Sequence, residues 1–299
     1  NGLVGSEMCI RDRPGTAGFD AHGIPRASRK FTQEAFPNSI PSLDRKLRFN
    51  KLSGKGTAAV ILEPVGTESG TRPVDFEYNQ QVRELCDYYG ALLIFDEVVT
   101  AFRIGISGAQ GYFNVKPDLT VFGKVVAGGY PAAGGLGGSR DLMEYLAAGI
   151  QSGKKRVLVG GTLAANPLSS AAGYYTLLEI QQQDACRKAG AAGDRLTSGL
   201  QKIIKDLDLP FVAYNQGSIC HLETSGTMFM PVNMKRPWTI PRTLKEIKIR
   251  KHMMEEMGAA YMMEGIVTLA GSRMYTSMAD SNEVIDEALA GFERVLQKM

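Results

Sequence analysis

Two side chains set the chemistry this chain could perform. Asp96 closes the apolar run "LLIFD", and Lys124 follows Gly123 at the end of "LTVFGK", 28 residues later. A third apolar run, "AAVILEP", ends at Glu63 and Pro64. In open parallel sheets, ligands bind outside the carboxyl ends of the strands, so polar groups gathered there can act on one ligand. An amine in that place can attack a carbonyl carbon and form an imine. A carboxylate beside it can keep a basic ring nitrogen protonated, which makes the ring an electron sink. Each residue alone has an equally good structural reading, since strands often end in Asp or Glu and most lysines are solvated. The combination is what points to a site.

The elements that would position these groups are legible in the hydrophobic pattern. "TAAVILEP" and "ALLIFDE" are compact apolar runs of strand length. Between them, "YNQQVRELCDYYG" places Val82, Leu85 and Tyr89 at helical spacing and stops at Gly90. Strand, helix and strand in about forty residues form a βαβ unit, which predicts a mostly parallel sheet with helices on both faces. "PDLTVFGK" predicts the next strand, and the glycine-dense "AGGYPAAGGLGGSRDLM" predicts tight turns and close backbone approach. After "GGTLAANP" a helix is expected, with Asn166 as N-cap and Pro167 in its first turn.

The character changes near residue 184. Helix ("RLTSGLQKIIKDL"), one strand ("FVAYNQGSICHLE"), a Met- and Pro-rich stretch and two further helices predict a smaller α+β domain. The last helix, "SNEVIDEALAGFERVLQ", is expected to bury Val284, Ala288, Phe292 and Val295, with Ser281 and Asn282 available as caps. Met253, Met254, Met257, Met262 and Met263 read as core filler. Residues 14–56 read as irregular connections with one short helix.

Composition removes several classes of function. Of 299 residues, 34 are basic and 31 acidic, and a net charge of +3 gives no case for nucleic acid. No apolar run approaches the length of a membrane span. The four cysteines have no close spacing, which suits reduced thiols in a cytoplasmic protein. The three histidines, His22, His221 and His252, are not at ligand spacing, so no metal site is expected. No G-x-S-x-G marks a serine hydrolase. "LLIFDE" has the look of a nucleotide-hydrolysing strand, but Lys124 is followed by Val125 and the glycine spacing of a phosphate loop is wrong.

An amine and a carboxylate at neighbouring strand ends fit pyridoxal 5'-phosphate (PLP), whose phosphate needs N–H groups and hydroxyls at a helix start. "GGTLAANP" supplies Thr162 just before such a helix. The motifs "AAVILEPVGTESGTRPVDF", "LCDYYGALLIFDEVVTAFRIGISGAQGYFNVKPDLTVFGKVVAGGYPAAGGLGGSRDLM" and "GGTLAANPLSSAAG" closely resemble class III aminotransferases, most of all the glutamate-1-semialdehyde 2,1-aminomutase group. The resemblance covers about residues 14–299. It implies a fold type I α/β PLP-dependent transferase, with a large PLP-binding domain at 14–183 and a small α+β C-terminal domain at 184–299.

The resemblance also implies roles. Lys124 matches the lysine that forms the internal aldimine and later shuttles a proton. Asp96 matches the partner of the pyridine nitrogen, and Val98 the apolar side chain on one ring face. Thr162 matches a threonine that reaches the phosphate of the neighbouring subunit, which implies a homodimer. Glu63 matches the start of an "EP" motif that braces the loop near Asp96. Glu68 and Arg273 align with a carboxylate–arginine pair that admits substrates, where an arginine grips a carboxylate with two hydrogen bonds. The implied substrates are small amino and keto compounds, with no nucleic acid, membrane or metal involved.

Two departures accompany it. "LVGSEMCIRDR", Leu3 to Arg13, resembles translated sequencing adapter, so residues 1–13 are expected to be an artefact and the gene to resume near Pro14. The family's N-terminal part, with a phosphate-cradling loop and a ring-stacking aromatic residue, is not matched, so the chain as given is expected to bind cofactor weakly. Aminomutase and transaminase both remain open, although "GSRMYTSM" departs from the aminomutase pattern towards a transaminase. Racemisation and decarboxylation also occur on such a scaffold, and a non-catalytic fragment of it would carry the same motifs.

Overall fold

The computed structural model describes residues 31–35, 38–66, 72–146, 156–157, 160–224, 240–269 and 271–299. Residues 1–30, with the adapter-like stretch, and Glu68 lie outside the described residues. The chain divides into two compact units, Asn1–Gln181 and Gln182–Met299.

The first unit begins with α1 (Ile40–Leu52), a longer helix than the single short one expected in this region. It forms because Leu43 and Leu47, one turn apart, both find the core. β1 (Ala59–Leu62) and a two-residue strand, β2 (Arg72–Pro73), precede α2 (Tyr78–Tyr89). Gly90 ends α2 in the left-handed conformation, with φ 70°, which a side chain would resist. β3 (Leu92–Asp96) follows, then a short α3 (Gly108–Tyr112), β4 (Leu119–Phe122), a 3₁₀ turn at Lys124–Ala127, β5 (Gly135–Gly138) and α4 (Arg140–Met143). The unit closes with α5 (Pro167–Gln182).

The sheet order is β1-β3-β4-β5. β1, β3 and β4 run parallel, and β5 returns antiparallel at the edge. Burial alternates along β3. Leu93 and Phe95 are fully buried and pack with Leu43, Leu47, Val82 and Cys86. Each such side chain contributes about 1.5–3 kcal/mol by leaving water. Alternation then turns Asp96 to the face opposite Phe95.

In the second unit, α6 (Ala185–Asp206) precedes β6 (Val212–Gln216) and β7 (Ile219–Glu223). α7 (Ile240–Met263), β8 (Arg273–Tyr275) and α8 (Asn282–Leu296) complete it. The three strands form an antiparallel sheet in the order β6-β7-β8. The single strand expected over 211–223 is therefore a hairpin. Gly217, with φ 56°, makes the reversal possible in the middle of that run. The core of this unit gathers Leu200, Leu222, Tyr261, Ile285 and Phe292, with the rings of Tyr261 and Phe292 4.8 Å apart.

Two sequence expectations change here. Ile285, not Val284, is buried on α8, because the helix is rotated so that Ile285, Phe292 and Leu296 face the core. Ser281 caps it as expected, its hydroxyl accepting from the Val284 N–H at 3.4 Å. Of the five methionines on α7, Met254 is buried and Met257 packs on the core, whereas Met253, Met262 and Met263 are exposed. Composition could not show which side of α7 meets the core.

Candidate active site

Register brings the chemistry-bearing residues together. Leu62 pairs with Phe95, and Asp96 pairs with Val121, so β1, β3 and β4 end side by side. Glu63, Asp96 and the Gly123–Lys124 pair therefore share the carboxyl edge of the sheet. This is where the sequence placed them.

Asp96 is 7% exposed. Its Oδ1 accepts the Val98 N–H at 3.1 Å, which folds the start of the next loop back over the strand end. Burial pushes the Asp96 carboxyl above the usual carboxylate range, against the opposing pull of the Val98 N–H and the Lys124 ammonium. The charge of Lys124 thus reaches the Asp96 carboxyl across adjacent strand ends.

Lys124 itself is exposed. Its backbone lies in the left-handed region, with φ 48°, at the first residue of the 3₁₀ turn. A non-glycine residue there carries strain of about 1–2 kcal/mol. Gly123, just before it, is buried, and a Cβ at that position would stand 3.1 Å from Val98 Cγ1. Glycine lets the lysine-bearing turn approach the loop that follows Asp96 closely. Val98 is half-buried against it.

The end of β1 is held through its backbone carbonyls. The Glu63 carbonyl accepts the Gly66 N–H at 3.0 Å and closes a turn. The neighbouring Pro64 carbonyl accepts from the wholly buried Asn79 side chain at 2.7 Å. Asn79 sits on α2 among apolar neighbours, and its spacing gave no signal of this role.

Thr162 lies on the exposed turn that precedes α5. Asn166 caps the helix as expected, its Oδ1 accepting the Ser169 N–H at 2.9 Å. The Ser169 hydroxyl in turn donates to the Pro131 carbonyl at 2.6 Å, tying the helix start to the glycine-dense stretch. Arg273 belongs to the second unit, on β8 opposite His221 of β7. His221 pairs with Tyr214 on β6, and those two rings stack 4.7 Å apart. Burial, and then the Glu223 carboxylate, drive the Tyr214 hydroxyl strongly upward, while Arg273 pulls it the other way. A pocket of about 410 Å³ in the first unit is lined by Phe102, Ile106, Lys116 and Phe122, and does not include Asp96 or Lys124.

The sequence sets Glu97 beside Asp96 at the strand end but gives it no role. Glu97 is fully buried. Its carboxylate accepts from the Ala109 N–H at 2.6 Å, the Thr100 hydroxyl at 3.1 Å and the Gln110 N–H at 3.3 Å. Burial raises its carboxyl above the ordinary value, and these hydrogen bonds oppose the shift. The signal was present as a second carboxylate directly after Asp96, but its two backbone partners lie 12 and 13 residues ahead.

Among the described residues, no group of His, Cys, Asp and Glu could hold a metal ion, and no helix is long and apolar enough to cross a membrane.

Known structures share this architecture. A structure described as a transaminase with PLP bound superposes with a TM-score of 0.76 over 93% of this chain and 60% of its own, at 23% identity. An omega-transaminase from Sphaerobacter thermophilus gives a TM-score of 0.78 over 96% of this chain and 63% of its own, at 24% identity. The fold is that of a fold type I PLP-dependent transferase. A family model described as aminotransferase class-III matches residues 24–235, and the chain belongs to that family. Among curated relatives, glutamate-1-semialdehyde 2,1-aminomutase from Legionella pneumophila (strain Corby) is 40% identical over 197 residues, covering 66% of this chain and 44% of the relative. The protein of the same name from Pyrobaculum aerophilum is 33% identical over 277 residues, covering 93% of this chain and 61% of the relative. The chain thus spans roughly half the length of the curated relatives it matches.

Proposed function

We propose that this protein binds PLP and transfers an amino group between small amino and keto compounds, with Lys124 and Asp96 as its catalytic pair. The observation that carries the reading is the register of β3 and β4, which sets a buried carboxylate and a lysine at adjacent strand ends within electrostatic reach. The donor set fits the group. A carboxylate raised by burial is stabilised by a neighbouring cation, and a protonated pyridine nitrogen is one. An exposed amine is available to an aldehyde, and Val98 offers an apolar surface beside both.

PLP, when bound, supplies an aldehyde that carries the amino group and a ring that accepts electrons from the substrate. Lys124 would hold the cofactor through its amine and move a proton at the substrate's reacting carbon. Asp96 would keep the proton on the ring nitrogen. Val98 would pack on one ring face, and Glu63 would brace the loop beside Asp96. Arg273 would grip a substrate carboxylate, with Glu68 as its counter-charge. Residues 14–183 would form the PLP-binding domain and 184–299 the small domain.

The protein would act as a homodimer in the cytoplasm, with Thr162 reaching the phosphate in the neighbouring subunit. α5 supports self-association. It leaves Leu168 67%, Tyr174 61% and Tyr175 66% exposed, and such a surface of large apolar groups is suited to burial against a partner.

The test is to add PLP, reduce with borohydride and map the labelled peptide. Label on Lys124 supports the reading, and label spread over surface lysines overturns it. Mass spectrometry of products then separates the two activities. A released keto product marks a transaminase, and an isomerised substrate with none marks an aminomutase.

A further inference from the structure

The geometry points to Glu97 as a positioning residue for the active-site carboxylate, acting through the backbone that it shares with Asp96. This inference rests on the proposed PLP reading. Three features lead to it. First, Glu97 is fully buried, yet it contacts neither Lys124 nor a cation among its hydrogen-bond partners. Its carboxylate is spent on the Thr100 hydroxyl and the N–H groups of Ala109 and Gln110. A buried carboxylate held only by neutral donors is costly, so an apolar side chain would serve mere packing better.

Second, Glu97 fastens the strand end in two directions. Its own N–H donates to the Val121 carbonyl at 2.9 Å, which joins β3 to β4 one step beyond the last paired residues. Its carboxylate pulls in the segment that opens α3, twelve residues ahead. Asp96 and Val98 are the residues on either side of it. The Val98 N–H is the one that Asp96 accepts, and Val98 also meets the Gly123 backbone that carries Lys124. Third, the approach is tight. Gly108 has φ 62°, and a Cβ there would run into the Glu97 carboxylate. The segment is shaped to let the carboxylate in.

Glu97 therefore fixes where the Asp96 carboxylate stands before a ligand arrives. Loosening it lets the Asp96–Val98 turn relax, which weakens the grip on a ring nitrogen without removing any group that touches the cofactor.

Two variants test this in the purified protein. Glu97→Gln keeps the shape, but its amide nitrogen cannot accept from a backbone N–H. Thr100→Val removes one donor and leaves the carboxylate intact. Amide hydrogen exchange without cofactor reads the Glu97 and Val98 N–H groups. PLP affinity by equilibrium dialysis, and the pH midpoint of the bound cofactor's absorbance, read the consequence. In Glu97→Gln the two amides exchange about ten-fold faster, PLP binds about ten-fold more weakly and the midpoint moves. Thr100→Val shifts all three the same way by less, and carries the test alone if the first variant does not fold. Folded variants whose exchange, affinity and midpoint all match the parent overturn the inference. A parent that binds no PLP overturns the functional reading instead, and amide exchange then still decides the role of Glu97.

Discussion

The two ends of the β3–β4 strand pair use carboxylates in opposite ways. At the amino end, Asp118 accepts the Leu93 N–H at 2.7 Å and pairs with Arg83 at 2.8 Å. Burial alone would raise the Asp118 carboxyl, but the Leu93 N–H and the Arg83 guanidinium outweigh it and hold the carboxyl below its ordinary value. At the carboxyl end, Asp96 and Glu97 are buried, no arginine among the described residues bonds to either, and both are raised. One end is built to be stable when charged. The other holds a charge at the expense of stability, which the proposed function explains by a cationic ligand at that end.

Removing the amine tests the contrast most severely. Lys124→Ala should lower turnover about 10³-fold or more, because proton transfer and cofactor attachment are lost together, and single-turnover rates would show it. Asp96→Asn should lower turnover about 10²-fold, read by the same assay. In the cofactor-free protein the same variant should do the opposite to stability. A buried charge disappears, so the melting temperature at neutral pH should rise by about 2–4 °C for each kcal/mol relieved. A fall instead would break the contrast between the two ends.

At the amino end, Asp118→Ala should destabilise by about 1–3 kcal/mol, since two hydrogen bonds to a charged group go with it, and urea denaturation measures this. The pH dependence should separate the ends by sign. Asp118 is depressed in the fold, so its contribution is present above the ordinary carboxylate value of about 3.9 and is lost as pH falls through its lower folded value. Asp96 is raised, so its contribution is present below about 3.9 and is lost as pH rises through its higher folded value. The melting-temperature gap between Asp96→Asn and the parent should therefore widen as pH increases from about 4. The smallest effect should come from Asn166→Ala, at about 1 kcal/mol from the lost helix cap, visible in the same denaturation curve.

Much of this is legible in the chain alone. The strand ends at Asp96 and Lys124, the parallel pairing, the stop at Gly90 and the caps at Asn166 and Ser281 all follow from local patterns that depend on residues a few positions apart. The departures from expectation share a cause. The hairpin at Gly217, the buried face of α8 and the exposed methionines of α7 depend on which neighbour an element meets, and neither propensity nor periodicity encodes that. Glu97 is the sharpest case. Adjacent to Asp96 in the chain, it points to the other face of the strand, and its two backbone partners come from a loop whose return cannot be read from spacing.

The sequence by itself determined the chemistry on offer, because apolar runs that end in an acid and an amine can only place them at the rim of a core. Only the tertiary structure decided which acid accepts a single backbone N–H at the strand end and which is consumed in holding the loop. That choice rests on hydrogen bonds between residues far apart in the chain, and such bonds exist only once the backbone has closed on itself.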